Sequence, residues 1–90
     1  MEEKVKELLE GSLDSMHMFV DSVVLEHENG NLFLRVCLDS EDSIDLDKVV
    51  AATKIVDPII EKADLIEETY ILEVYGKSKG SEEKWIKENF

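Results

Sequence analysis

Hydrophobic and polar positions along the first half of the chain predict a helix followed by a β-hairpin. Apolar residues from Val5 to Met16 recur at helical spacing, with charges on the opposite face. Gly11 lies inside this pattern and weakens the helix slightly. Two alternating apolar runs then flank Asn29 and Gly30, a pair typical of type I′ turns because both positions need positive φ.

The predicted turn also fixes which strand residues share a face. A two-residue loop pairs Leu25 with Leu34 and Val23 with Val36. One face is then aliphatic and predicts the core; it carries Val23, Leu25, Leu32, Leu34, Val36 and Leu38. The second face is half polar; it carries Val20, Val24, Phe33 and Cys37, mixed with Ser22, Glu26 and Arg35.

The second half of the chain predicts a helix, a strand and a short terminal helix. Asp45 is suited to cap the helix, and Pro58 predicts a kink or a break within it. Alternation resumes at Tyr70, and Ser81 is suited to cap a C-terminal helix. The order α-β-β-α-β predicts an α+β fold, a two-layer α/β sandwich with a three-stranded sheet and its helices on one face.

Composition and charge restrict the kind of partner and the compartment. The chain has 90 residues, with 22 Asp and Glu against 10 Lys and Arg, a net charge of -12. Such a domain repels phosphate backbones and attracts basic partners, although acidity also serves solubility alone. One cysteine, no long apolar run and an N-terminus unlike a secretory signal predict a cytoplasmic location.

The glycine-lysine segment after the third strand raises two further possibilities. Its Gly-Lys-Ser matches the end of a phosphate-binding loop, but Ile71 stands where that motif needs a glycine. A KH-type clamp needs two residues between its glycines, whereas three separate Gly76 from Gly80. Lys77 and Lys79 are positioned to touch RNA but make no basic face, so the segment is interpreted as a connection, with a KH-like RNA-binding module as the alternative.

No motif in the chain predicts catalysis, a metal or a cofactor. The acidic run before the second helix lacks the glycine and glutamate of a calcium loop, and neither histidine has a ligand partner nearby in sequence. Cys37 faces Ser22 in the predicted register, without a base. We therefore predict a non-enzymatic protein-binding domain whose partner-binding residues are Asp39, Glu41, Asp42, Asp45, Phe33 and Tyr75.

The half-polar second face leaves an alternative open. Five apolar residues, rimmed by Glu26, Arg35 and Glu73, predict an exposed patch of the kind that binds partners; they are Val24, Phe33, Cys37, Ile71 and Tyr75. Equally, Trp85, Ile86 and Phe90 of the C-terminal tail are able to fold back and cover it.

Several short motifs, taken in order, resemble the N-terminal domain of RimP-type ribosome maturation factors. The family's "LRV-x-ID" strand is matched from Leu34 to Asp39, its "LDD" helix start at Leu46 and Asp47, and its "Y-x-LEV" strand from Tyr70 to Val74. The resemblance covers residues 1–75, taken as one domain. Residues 76–90 then form a junction, with Gly76, Lys77, Lys79 and Gly80, and a short helical tail.

The resemblance implies a non-catalytic, cytoplasmic accessory factor for maturation of the small (30S) ribosomal subunit. Its implied partner is a small-subunit ribosomal protein or the pre-30S particle. The family's "SSPG" is replaced here by Tyr75, Gly76, Lys77 and Ser78, and its second, SH3-like domain has no counterpart in the 90 residues. The expectation is an isolated domain of a longer protein or a single-domain relative.

Overall fold

The computed structural model describes residues 1–77 with their side chains and residues 84–89 as backbone. Two α-helices lie against a sheet in the order β1-β2-β3-β4. The elements are α1 Glu2–Leu9, a 3-10 helix Asp14–Met16, β1 Met18–Glu28, β2 Asn31–Ser40, α2 Leu46–Ala63, β3 Tyr70–Gly76 and β4 Lys84–Asn89. The predicted α+β class, the order α-β-β-α-β and the three predicted strands are confirmed.

The hairpin forms with the register that the sequence predicts. Asn29 and Gly30 have φ of 53 and 80, as a type I′ turn requires. Leu25 pairs with Leu34, and β2 then pairs in parallel with β3, so that Leu34 lies beside Leu72. β2 is therefore an inner strand, with its aliphatic face between those of β1 and β3.

Both helices cover that aliphatic face. Val5 and Leu9 of α1, with Val49 and Val56 of α2, are fully or almost fully buried. They pack on strand residues that are equally buried; these include Leu34, Val36, Leu38, Leu72 and Val74. The predicted core face and the predicted side for the helices are therefore correct, and burial of this surface is the main stabilising contribution to the fold.

The first helix is shorter than the sequence predicts. It ends at Leu9, because Gly11 adopts a φ of +81, which lies in the left-handed region and does not continue an α-helix. Leu13 and Met16 follow in a turn and a 3-10 helix and still face the core. By contrast, α2 runs from Leu46 to Ala63 with Pro58 inside it, so the predicted break does not occur.

A β-bulge in β1 changes which residues face the core. Val20 pairs with Leu38 but Ser22 pairs with Cys37, so Asp21 is an extra residue in the strand. Val20 consequently packs against the core, whereas the uniform alternation had placed it on the second face. That prediction is wrong because a bulge shifts the alternation by one residue.

The C-terminal prediction differs most from the structure. Residues 84–89 form β4, which pairs antiparallel with β3, rather than a helix. Ser81, the proposed cap, and Phe90 lie outside the described residues. Because β4 extends the sheet sideways beside β3, its backbone does not lie over the second face.

Candidate functional site

The end of the sheet at which β2 and β3 finish gathers the predicted acidic residues. Leu38 pairs in parallel with Gly76, so Asp39 and the loop that follows lie at the same end as Lys77. Glu41 and Asp42 are exposed in this loop. Asp39, Glu41, Asp42 and Asp45 therefore lie together at one end of the sheet, as parallel pairing of β2 and β3 requires.

Hydrogen bonds to backbone amides distinguish Asp39 and Asp45 from Glu41 and Asp42. Asp39 Oδ1 accepts a bond from the Ser40 amide at 2.8 Å, and Asp45 Oδ1 accepts one from the Lys48 amide at 2.9 Å. The second bond is the helix cap that the sequence predicts. The side chains of Glu41 and Asp42 take no part in these bonds and point their charge to solvent.

A buried serine holds the acidic loop in place. The Ser40 hydroxyl, 1% exposed, donates to the His17 carbonyl at 2.8 Å and accepts from the Asp42 amide at 3.1 Å. It thus ties the start of the loop to the residue preceding β1. The backbone at the start of the loop that carries the exposed carboxylates is thus hydrogen-bonded to the body of the domain.

The predicted junction residues are only partly described. Gly76 is buried, and a Cβ placed on it would lie 2.6 Å from Ile44 Cγ2, which gives a packing reason for glycine there. The Lys77 amide donates to the Leu38 carbonyl at 2.7 Å, and its Nζ lies 3.7 Å from Asp21 Oδ2. Lys79 and Gly80 lie outside the described residues, so the junction remains a prediction.

Two of the five apolar residues on the second sheet face are buried. Phe33 is 9% exposed and Cys37 is 5% exposed, while Tyr75 is partly buried. The Arg35 guanidinium lies 4.6 Å from the Phe33 ring centroid, at cation–π distance. Arg35 therefore covers Phe33 instead of standing at the rim of a patch.

Arg35 is also the centre of an ion-pair network. Its Nε donates to Glu73 at 2.9 Å and its Nη2 donates to Glu28 at 2.8 Å, while Nη1 contacts Glu26. The hydrogen bond that Arg35 donates to Glu28, followed by the one that it donates to Glu73, raises the pKa of Arg35. Three carboxylates around one guanidinium leave this network with a net negative charge.

Burial distinguishes the three carboxylates of the network. The Glu73 side chain is 5% exposed, whereas those of Glu26 and Glu28 are 51% and 53% exposed. A buried carboxylate needs a charged partner to offset its desolvation, and the parallel register supplies one by placing Arg35 beside Glu73. The sequence showed both residues on one face but not that they are neighbours.

Phe19 is a candidate residue that the sequence analysis missed. Its side chain is 48% exposed, and it pairs with Asp39 across β1 and β2. Uniform alternation would turn it toward the core with Val23 and Leu25. The only signal in the sequence was Asp21, an acidic residue at a position that the same alternation assigns to the core.

Two negative findings complete the description of the site. Within residues 1–77, no three His, Cys, Asp or Glu side chains are grouped so as to hold a metal ion. Neither of the described helices combines the length and apolar character needed to cross a bilayer.

The match to a protein family spans most of this architecture. The RimP N-terminal domain family matches residues 8–80, which is well over half of the chain. The chain belongs to the RimP N-terminal domain family. RimP-type proteins are ribosome maturation factors, and their role in maturation is not catalytic.

The residues that carry the RimP resemblance have clear structural roles in this chain. Leu34 and Val36 of the "LRV" motif, with Leu72 and Val74 of the "LEV" motif, are buried in the core. The polar residues at the centres of these motifs, Arg35 and Glu73, pair with each other on the opposite face. The two motifs therefore lie side by side on β2 and β3, which pair in parallel.

Proposed function

We propose that this domain acts in maturation of the small (30S) ribosomal subunit by docking on a basic ribosomal protein of the pre-30S particle. The proposed activity is binding, without catalysis or a cofactor, in the cytoplasm. The observation that supports it is the acidic end of the sheet, where Glu41 and Asp42 are exposed on a loop that Ser40 fixes.

The charge of the whole domain supports the same conclusion. A net charge of -12 on 90 residues creates a field that attracts basic proteins and repels RNA. The hydrogen bonds of Ser40 constrain the start of the loop, which reduces the conformational entropy that its carboxylates lose on binding. Such a surface favours rapid, salt-sensitive association with a cationic partner.

Direct RNA binding is the competing function. Of the two lysines proposed to contact RNA, Lys77 lies within the described residues and Lys79 does not. The Lys77 ammonium lies within ion-pair distance of Asp21. A lysine next to a carboxylate on an acidic background is a weak phosphate ligand. The observed surroundings of Lys77 therefore favour docking on protein.

Binding kinetics with paired charge variants test the proposal. The double variant Glu41→Gln and Asp42→Asn removes two exposed charges without touching the helix cap. We expect affinity for pre-30S particles and for an isolated basic small-subunit protein to fall about 2- to 30-fold, at ~0.2–1 kcal/mol per exposed charge interaction. The loss should lie mainly in the association rate and diminish at high salt.

The opposite end of the sheet offers a matched control. Glu61 and Glu67 are exposed near the start of β3, and changing both to Gln removes the same charge. If this control lowers affinity as much as the loop variant, the loop is not the docking surface. If the unmodified domain binds protein-free RNA at low salt but no basic protein, the RNA alternative replaces the proposal.

A further inference from the structure

Phe19 is an aromatic side chain that the fold leaves in water. Three large hydrophobic side chains among the described residues are about half exposed, Met1, Phe19 and Leu46, and only Phe19 of these is aromatic. It lies at the start of β1, an edge strand, beside the bulge at Asp21. Because single exposed hydrophobic side chains are common, the surroundings of this ring decide whether it can anchor a partner.

Two grooves meet at Phe19. The larger, of about 790 Å³, lies between the outer face of α1 and the start of β1; its lining residues are Glu3, Lys6, Glu7, Glu10, Gly11, Asp14, Phe19 and Val20. The smaller, of about 220 Å³, is lined by Asp14, His17, Met18, Phe19 and Glu41. Phe19 and Asp14 line both grooves.

The charges that line the two grooves are mostly negative. The larger groove presents four carboxylates against the single ammonium of Lys6, and the smaller adds Glu41. Glu3 and Glu7 lie one turn apart on α1, Glu10 follows directly after the helix, and all three are exposed. Carboxylates that line the same grooves as an exposed ring provide complementary sites for a cation that stacks on the ring face and donates to carboxylate oxygens.

We propose that Phe19 and these two grooves bind an extended, arginine-rich segment of a basic protein. Arginine fits better than lysine because its planar guanidinium stacks on an aromatic ring while its N–H groups donate to nearby carboxylates. The proposal rests on the proposed function for the identity of the partner. It adds Phe19 as an exposed aromatic anchor to that interaction, whereas Phe33 of the predicted partner-binding set is 9% exposed.

A synthetic peptide of alternating arginine and glycine is a direct probe of this site. Titration by isothermal calorimetry should show salt-sensitive binding that is tighter than that of the lysine analogue. Phe19→Leu keeps an apolar side chain but removes the ring, and it should weaken arginine-peptide binding about 2- to 5-fold, the amount expected for an exposed cation–π contact. Phe19→Tyr, which keeps the ring, should bind as the unmodified domain does.

Two further variants separate the ring from its surroundings. Leu46→Ala removes an equally exposed hydrophobic side chain near the acidic loop and should leave peptide binding unchanged. The double variant Glu7→Gln and Glu10→Gln should reduce both the affinity and its salt dependence. Thermal denaturation of each variant verifies that it is folded, which is expected because every changed side chain is exposed or half exposed.

The outcomes distinguish this inference from the proposed function. If Phe19→Leu and Glu7→Gln/Glu10→Gln bind the arginine peptide as tightly as the unmodified domain, the Phe19 site is refuted, whatever the domain does with pre-30S particles. If the peptide binds as expected but neither pre-30S particles nor a basic ribosomal protein binds, the Phe19 site stands and the proposed function fails.

Discussion

Replacing Arg35 with methionine should destabilise the fold more than the loss of an exposed ion pair would. The change keeps an apolar stem over Phe33 but removes the guanidinium that lies 2.9 Å from the Glu73 carboxylate. Glu73 is 5% exposed and Arg35 is 20% exposed, so the pair is more buried than a surface salt bridge. The variant therefore loses the charged partner of a buried carboxylate.

The expected magnitude follows from that intermediate burial. Removing one partner of a fully buried pair costs about 3–5 kcal/mol, whereas exposed pairs contribute about 0–1 kcal/mol. We expect Arg35→Met to lower the free energy of unfolding by about 2–3 kcal/mol. For a domain of this size, that loss lowers the melting temperature by roughly 8–24 °C.

Urea denaturation, monitored by circular dichroism, measures this loss. An unchanged m value, the slope of the unfolding free energy against urea concentration, would show that the variant exposes the same surface on unfolding. Lys77→Met is the control, because it breaks an exposed pair at 3.7 Å and should cost less than about 1 kcal/mol. In the double variant Arg35→Met and Glu73→Leu, the destabilisation should be smaller than the sum of the single variants by about 1 kcal/mol or more. Equal costs for Arg35→Met and Lys77→Met, or additive costs in the double variant, would refute the reasoning.

Two further predictions concern packing and alkaline pH. Gly76→Ala should cost about 1–3 kcal/mol in urea denaturation, because its Cβ would lie 2.6 Å from Ile44 Cγ2, and adding Ile44→Ala should cost less than the sum of the two changes. Burial and three nearby carboxylates raise the pKa of Tyr70, so the stability linked to its protonated form is complete below its unfolded pKa of about 10 and is lost as pH rises toward the folded value. Tyr70→Phe should remove that part of the alkaline loss, and an identical pH profile for the variant would contradict the argument.

Local features of the sequence were sufficient to predict much of the fold. Asn29 and Gly30 determine the hairpin because their backbone supplies the positive φ of a tight turn, and the turn sets the register of every pair up to the bulge. Asp45 likewise marks the start of α2, since its side chain caps the helix from within three residues. The order of short motifs was enough to indicate the RimP family that the match to residues 8–80 shows.

The candidate site depended on contacts between residues distant in sequence. Alternation indicates which face a residue occupies but not its neighbour on the next strand, so the pairing of Arg35 with Glu73 required the parallel register of β2 and β3. The close approach of Ile44 to Gly76 likewise arises only when the loop before α2 packs on the end of β3. Whether Phe33 and Tyr75 bind a partner remains a prediction.

The sequence by itself determined the hairpin, the core face and the negative charge, because each of these depends on neighbouring residues or on composition. Only the tertiary structure decided that Asp21 is a bulge, that Val20 consequently enters the core and that Phe19 is left exposed. An acidic side chain is excluded from an apolar core at a large free-energy cost, and inserting one extra residue into the strand removes that cost while shifting the alternation of the preceding residues.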